Sequence, residues 1–145
     1  KFDDAEISLL QINERSVDLF LKFFDEMYRI LKPGGGARVA SPQAHNNRAF
    51  QDPTHRRFLV PESYLYLSKT WRTTNDLEHA AYGISCDFDI SKEGSFVQHT
   101  FDDPNAISLY PEEANRARVR HEWNFAGDMI VTLKKQEPPG GVTGI

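Results

Sequence analysis

The stretch MYRILKPGGG, residues 27–36, decides how this chain folds, because it joins a predicted helix to a predicted strand. Pro33 cannot continue a helix, and the three glycines after it permit the left-handed backbone of a helix C-cap. Lys32 places a cation near the negative end of the helix. The preceding helix is therefore predicted to end at about Lys32.

Hydrophobic periodicity on both sides of this stretch predicts a strand, a helix and a second strand. Residues 5–10 and 37–40 have strand-like composition. Between them, apolar side chains recur every three or four residues and predict a helix from about Ser16 to Lys32. A strand, a helix and a strand in this order predict a parallel pair with a right-handed crossover. The residues of the apolar stripe are Val17, Phe20, Phe24, Met27 and Leu31.

Two motifs carry a resemblance to a known family. The sequence YRILKPGG, residues 28–35, resembles the turn between the fourth helix and fifth strand of class I S-adenosylmethionine-dependent methyltransferases. The segment AFQDPTHRRF, residues 49–58, followed by PESY, residues 61–64, resembles one subgroup of small, mostly uncharacterised members. The resemblance runs from about Phe2 to Lys135. It implies an α/β fold, the second half of a doubly wound, Rossmann-like sheet whose parallel strands are followed by a C-terminal antiparallel hairpin.

The same resemblance implies S-adenosylmethionine as the cofactor, but the chain lacks the family's main cofactor motif. No glycine-rich turn follows a strand near the N-terminus, and no acidic residue stands where the family holds the ribose. By family position, Leu10 and Gln11 would face the cofactor, although no histidine follows them as it does in the family. We expect this chain to be a fragment that begins just before the family's fourth strand. Missing residues or another chain would then supply the cofactor site.

Composition indicates one globular domain, with 39% hydrophobic and 26% charged residues among 145. We assign residues 1–137 to a partial methyltransferase-like domain and residues 138–145 to a flexible tail. A net charge of -4 argues against general nucleic-acid binding. Cys86 is the only cysteine, and no signal peptide or long apolar span is present, so we expect a cytoplasmic protein without membrane contact. A sheet cut halfway would expose an edge or a face, which predicts a homo-oligomer.

The rest of the chain divides into a polar loop, a helix and several short strands. Residues 41–60 read as a long loop after the fifth strand, and residues 61–71 as a helix that starts at a proline. Predicted strands follow at residues 85–90, 95–101, 118–125 and 128–134, with the last two divided by a hairpin turn or a bulge at residues 126–127.

Chemistry is expected in the loop from His45 to Arg57, because ligands of open α/β sheets sit where the strands end. His55 could act as the base that takes a proton from a methyl acceptor, with Asp52 as its orienting partner. The alternative, which we favour, is structural: Asp52 and Thr54 bond local backbone amides in an Asx-type turn, and His55 pins the loop.

Other residues of this loop have two interpretations each. His45, Arg56 and Arg57 are candidate substrate ligands, since paired guanidinium groups can clamp a phosphate or carboxylate. The arginines could equally meet solvent or a nearby carboxylate. His45, Asp52 and His55 could instead ligate a metal, but their spacing matches no compact metal motif, so we predict none.

The aromatic residues raise a similar choice. Trp71 and Trp123 could stack on a base or a flat acceptor. Scattered aromatics more often anchor a core or an interface, and we favour that assignment.

Two functions from different classes remain. The chain is either the acceptor-side portion of a methyltransferase, acting on an unknown methyl acceptor, or a noncatalytic remnant that serves as an oligomerisation or interaction module. In the first case, the loop at residues 42–58 and the helix at residues 61–71 would carry acceptor specificity.

Overall fold

A computed structural model describes residues 2–8, 18–77, 83–90, 97–103 and 105–137. Within these residues, five strands form one sheet, and helices lie in three of the four segments that connect consecutive strands. In chain order the elements are β1 (Phe2–Ser8), α1 (Asp18–Ile30), β2 (Leu31–Pro42), α2 (Arg48–Gln51), a 3₁₀ helix (Pro61–Leu67), α3 (Lys69–Thr74), β3 (Phe88–Asp89), β4 (Val97–His99), α4 (Asn105–Ser108), α5 (Glu112–His121) and β5 (Asp128–Lys135).

The sheet is mixed, with the order β1-β2-β5-β3 and with β4 also paired to β5. Strands β1 and β2 are parallel, which confirms the pairing predicted from the strand, helix and strand pattern. Strand β5 runs antiparallel to β2, β3 and β4. Within the described residues, the parallel part of the sheet is therefore one strand pair, and a doubly wound arrangement is not formed by them.

The glycine-rich turn ends the helix as predicted but lies inside a strand. Helix α1 stops at Ile30, and β2 begins at the next residue rather than at residue 37. Phe2 pairs with Leu31, whereas Asp4 pairs with Gly36, so residues 32–35 bulge out opposite a single residue of β1. Gly34 has a φ of 77°, the left-handed conformation expected from the sequence. The predicted C-cap is thus a bulge within β2.

The hydrophobic core lies between helix α1 and the sheet. The predicted stripe is buried at Phe20, Phe24 and Met27, and the ring of Phe24 packs edge-to-face on Tyr64 of the 3₁₀ helix, with centroids 5.9 Å apart. Such edge contacts add to the stabilisation from buried area. Leu31, the last residue of the stripe, is also buried. The stripe shares one cluster with buried side chains from the sheet and its surroundings: Ala37, Val39, Leu59, Leu67, Cys86, Phe88, Met129, Val131 and Leu133.

The predicted strand at residues 118–125 is wrong, because residues 118–121 complete helix α5. Acidic residues occupy the first turn of α5 and basic residues its last turn, which favours a helix by complementing its dipole. The chain then turns through Asn124, whose φ is 61°, before β5 begins. The predicted C-terminal hairpin is therefore not formed, and β5 lies in the middle of the sheet instead.

Three further elements differ in extent from their predictions. The helix expected at residues 61–71 is split at Ser68, whose hydroxyl accepts a hydrogen bond from the backbone nitrogen of Trp71 at 3.1 Å and caps α3. The strands expected at residues 85–90 and 95–101 shorten to β3 and β4.

None of the described helices has the length and apolar character required to cross a membrane. The longest of them, α1, has 13 residues and is amphipathic. Leu10, Gln11 and the tail at residues 138–145 lie outside the described residues.

Candidate functional site

The candidate site lies at the edge of the sheet where the parallel strands end. Ser8, the last residue of β1, pairs with Ala40 near the end of β2. Strand β5 begins at the same edge, because Asp128 pairs with Pro42. The loop from residue 43 to residue 60 leaves the sheet here, at the edge where open α/β sheets hold ligands.

A turn far along the sequence forms the second wall of this site. The backbone nitrogen of Gln43 donates to the carbonyl of Gly127 at 3.0 Å, and the nitrogen of Asn124 donates to the carbonyl of His45 at 2.8 Å. Asn46 is buried, and its Nδ2 donates to the carbonyl of Ala126 at 2.9 Å. The turn at residues 122–127 is therefore fastened to the loop by these three hydrogen bonds and by two more, which join Asn47 to Trp123 and Asn124. The sequence analysis did not assign this turn to the site.

Asp52 and Thr54 form the turn that the structural alternative predicted. The backbone nitrogen and the hydroxyl of Thr54 both donate to Oδ1 of Asp52, at 2.8 Å and 2.7 Å. These two hydrogen bonds hold the pKa of Asp52 below its ordinary value, with a smaller contribution from the nearby His55. Asp52 is therefore an ionised carboxylate at neutral pH, and one of its oxygens is used by the turn.

The imidazole of His55 is largely buried and held by the backbone. Its Nδ1 lies 3.0 Å from the carbonyl oxygen of Ala49, and a carbonyl can only accept, so Nδ1 donates. In the neutral ring the lone pair is then on Nε2, which lies 3.7 Å from Oδ2 of Asp52, too far for a hydrogen bond. The Ala49 carbonyl thus occupies the orienting position that the sequence analysis gave to Asp52. Asp52 is placed to stabilise the ring once Nε2 takes a proton.

The two arginines of the loop lie in different environments. The guanidinium of Arg57 lies over the ring of Phe20 in α1, 4.6 Å from its centroid, a cation–π arrangement. Arg56 is exposed and makes no ion pair among the described residues. The predicted role of both in binding substrate stays a prediction.

The ring of His45 lies beside that of Trp123, with ring centroids 6.4 Å apart and an interplanar angle of 38°. Its Nδ1 is buried and has no hydrogen-bond partner within the part of the chain that the structure describes. The same part contains no group of three histidine, cysteine or carboxylate side chains able to hold a metal ion. The alternative of a metal at His45, Asp52 and His55 is therefore not supported by the geometry.

Three exposed aromatic rings meet beside this loop, and we call Phe50, Phe58 and Trp123 the aromatic platform. The rings of Phe50 and Phe58 stack with centroids 4.2 Å apart and an interplanar angle of 16°. Trp123 lies 5.8 Å from Phe50 at an angle of 31°. The three residues are 51%, 47% and 52% exposed, so the expectation of a core role is wrong for Trp123.

The two phenylalanines of the platform were not predicted as site residues. The sequence contains a pattern that could have indicated them: two large apolar residues flank the otherwise polar segment QDPTHRR, residues 51–57. Trp71, in contrast, is partly buried against Tyr66, with ring centroids 4.9 Å apart.

Comparison with known proteins gives only distant structural likeness. No protein-family model and no curated protein matches the chain. The fold is similar to the crystal structure of an S-adenosylmethionine dependent methyltransferase from Mesorhizobium loti, at 16% identity and a TM-score of 0.39. The match covers 92% of this chain and 62% of that one, so this chain spans less than two thirds of the methyltransferase's length. A likeness of this size does not establish an activity.

Proposed function

We propose that this chain is the acceptor-side portion of an S-adenosylmethionine-dependent methyltransferase that methylates a hydroxyl or an amine. The observation that carries the proposal is the arrangement of His55 at the carboxyl edge of the parallel strand pair. One ring nitrogen is fixed by the Ala49 carbonyl, and the other is left with a lone pair beside Asp52. This histidine belongs to the segment that resembles a methyltransferase subgroup.

The chemistry asked of these residues is proton removal and alignment. The cofactor would supply an electrophilic methyl group on a sulfonium, which is a good leaving group. His55 Nε2 would accept the proton of the acceptor hydroxyl or amine, and the ionised Asp52 would stabilise the resulting imidazolium. General base catalysis of this kind contributes roughly 10²–10⁴-fold, and alignment of the reactants supplies much of the rest.

In the proposal, the described residues form only the part of the site that would bind the methyl acceptor. Leu10 and Gln11, assigned to the cofactor by family position, lie outside them. In the proposal, residues of another chain or of a longer protein complete the cofactor site. The loop at residues 42–58, with the 3₁₀ helix and α3 behind it, would set acceptor specificity.

A noncatalytic interaction module is the second candidate, and the exposed aromatic platform is the observation that favours it. Exposed apolar patches often mark contacts with other proteins. The two candidates differ in one measurable property, since an interaction module has no need to bind S-adenosylmethionine.

Isothermal titration calorimetry with S-adenosylmethionine tests the proposal. S-adenosylmethionine is titrated into the chain alone and into an extended form that includes any residues encoded before Lys1 in its gene. Saturable binding in either form is the expected result. A folded protein that binds no cofactor in both forms would overturn the proposal and favour the interaction module.

Substitution of His55 then tests the proposed base in whichever form binds the cofactor. His55→Gln keeps a polar side chain of similar size but removes the basic nitrogen, so cofactor binding is expected to persist while methyl transfer falls by roughly 10²-fold or more. His121→Gln changes an exposed histidine at the end of α5 and serves as the matched control. Equal losses of activity in both variants, or no loss in His55→Gln, would exclude His55 as the base.

A further inference from the structure

We infer that the aromatic platform of Phe50, Phe58 and Trp123 is a binding site for a flat aromatic ring carried by a small molecule. The assignment of that ring to the methyl acceptor rests on the proposed function, whereas the binding itself does not. Phe50 and Phe58 belong to the motif at residues 49–58 but received no role from it, and the site adds Trp123, which lies 65 positions beyond Phe58 in the chain.

The geometry of the three rings suits stacking. The ring plane of Phe50 makes an angle of 16° with that of Phe58 and of 31° with that of Trp123. The other two rings are therefore tilted only moderately from the Phe50 plane. Aromatic rings pair by offset stacking or edge contacts at centroid distances of roughly 4.5–7 Å. About half of each residue is exposed, which leaves ring surface free to contact a ligand.

The platform is held in place before any ligand arrives. The indole nitrogen of Trp123 donates to Oδ1 of Asn47 at 2.6 Å, and the backbone nitrogen of Asn47 donates to Oδ1 of Asn124 at 2.8 Å. The neighbouring turn is fastened to the loop through the buried Asn46. Because the rings and their supports are already ordered, binding costs less conformational entropy.

Polar groups at the rim favour a ring with a hydrogen-bonding substituent. Asn47 is exposed and uses its Oδ1 for Trp123, which leaves the Nδ2 group as a donor without a partner among the described residues. His55 is hydrogen-bonded to the carbonyl of Ala49, the residue that precedes Phe50 in the sequence.

The area of the platform argues against a second copy of this chain as the occupant. An aromatic side chain offers roughly 150–250 Å², so three half-exposed rings offer about 300 Å². A stable protein interface needs roughly 800 Å² on each partner. The platform is large enough for one or two fused rings and too small to hold a dimer together by itself.

Titration with 2-naphthol, followed by nuclear magnetic resonance of the protein's aromatic side chains, tests the inference. Decahydro-2-naphthol is the matched ligand, since it keeps the hydroxyl and the approximate size but has no flat ring. Saturable shifts of Phe50, Phe58 and Trp123 with 2-naphthol, and binding at least about tenfold weaker with the saturated compound, are expected. Equal affinity for the two compounds would overturn the inference, because it would indicate general apolar contact.

Two variants locate the binding. Trp123→Ala and Phe58→Leu are each expected to weaken 2-naphthol binding by about tenfold, and the leucine keeps apolar volume while removing the ring. Tyr110→Ala removes an aromatic residue of similar exposure that makes no ring contact with the platform among the described residues, and it should leave the affinity unchanged. Unchanged affinity for 2-naphthol in both platform variants would overturn the inference. It would also be overturned if the wild type self-associates and the platform variants do not. The 2-naphthol titration contains no S-adenosylmethionine, so its result does not depend on whether the protein binds that cofactor.

Discussion

The buried amide of Asn46 is one of the groups that join the loop and the turn that form the two walls of the candidate site. Asn46 donates from Nδ2 to the carbonyl of Ala126 and accepts at Oδ1 from the backbone nitrogen of Arg48 at 2.9 Å. It is 2% exposed, so water cannot replace either hydrogen bond.

Replacing Asn46 with alanine is expected to lower the free energy of unfolding by about 1–3 kcal/mol, because the Ala126 carbonyl loses its partner in a buried position. Urea unfolding at neutral pH measures this loss. Asn105→Ala changes an exposed asparagine and should shift the free energy by less than about 0.5 kcal/mol. Similar values for both variants would show that the amide does not join the two walls.

Two buried groups are expected to make stability fall at alkaline pH. Burial raises the pKa of the Cys86 thiol to about 12, and burial also raises the pKa of Tyr64, although its hydrogen bond with Ser41 acts the other way. In the unfolded chain the thiol loses its proton near pH ~8.5 and the phenol near pH ~10. The unfolded state therefore binds fewer protons above these values, and the free energy of unfolding declines as pH rises.

Urea unfolding between pH 7 and pH 10.5 checks this decline. Cys86→Ala removes the thiol, so its stability is expected to stay flat up to a higher pH than that of the wild type, whatever its absolute value. Parallel pH profiles of the two proteins would contradict the pKa assigned to Cys86.

Local hydrogen bonds of the site could be predicted from the sequence, but its long-range contacts could not. The turn at Asp52 and Thr54 depends on residues two positions apart, so the residue types alone indicate it. The partner of His55 is a backbone carbonyl six residues away, which any residue supplies. The contact between Trp123 and Asn47 spans 76 positions and depends on the tertiary fold.

At the level of elements, the glycine-rich bulge lets helix α1 pass into strand β2 without an intervening loop. Gly34 has a φ of 77°, a conformation that costs a residue with a Cβ about 1–2 kcal/mol. A Cβ there would also lie 2.9 Å from Oε1 of Glu137, but that flexible side chain can move away. The backbone conformation therefore sets the cost.

Gly34→Ala is expected to lower the free energy of unfolding by about 1–2 kcal/mol. Gly35→Ala, one residue further along at a position without a positive φ, is the matched control and should cost less. Thermal or urea unfolding of the two variants compares them. An equal cost would mean that the left-handed conformation of Gly34 is not the reason for glycine here.

Helix α1 could be predicted from its apolar stripe, whereas helix α5 could not. The stripe of α1 is buried against the core, so its period appears in the sequence. Helix α5 buries little, and pairs such as Arg116 with Glu112, and Arg118 with Glu122, support it from the exposed side. The alternation of residue types near Arg118 therefore resembled a strand.

At the level of the whole molecule, the position of β5 determines the architecture. It pairs with β2 over seven residues and separates β2 from β3 and β4. Local sequence predicted the parallel pairing of β1 with β2, because one helix connects them. It did not predict the order of the other strands, which depends on pairings between residues that are far apart in the chain.

The same pairing places the start of β5 beside the end of β2, so the turn at residues 122–127 reaches the carboxyl edge. The edge was predictable as the expected location of a site, and the sequence held a signal for Phe50 and Phe58, but the meeting of these rings with Trp123 was not predictable. Its third ring comes from this turn, and the sequence analysis had assigned that region to a hairpin.

The central claim is that the loop carrying His55 faces the methyl acceptor and the methyl donor. Nuclear Overhauser contacts from S-adenosylmethionine labelled with ¹³C at its methyl group, measured in the form of the protein that binds the cofactor, test this claim most directly. A base bonded to an acceptor that is aligned with the methyl group lies within about 6 Å of that group. Contacts between the labelled methyl and the ring protons of His55 are the predicted result. A methyl group that contacts other residues and never His55 would contradict the account.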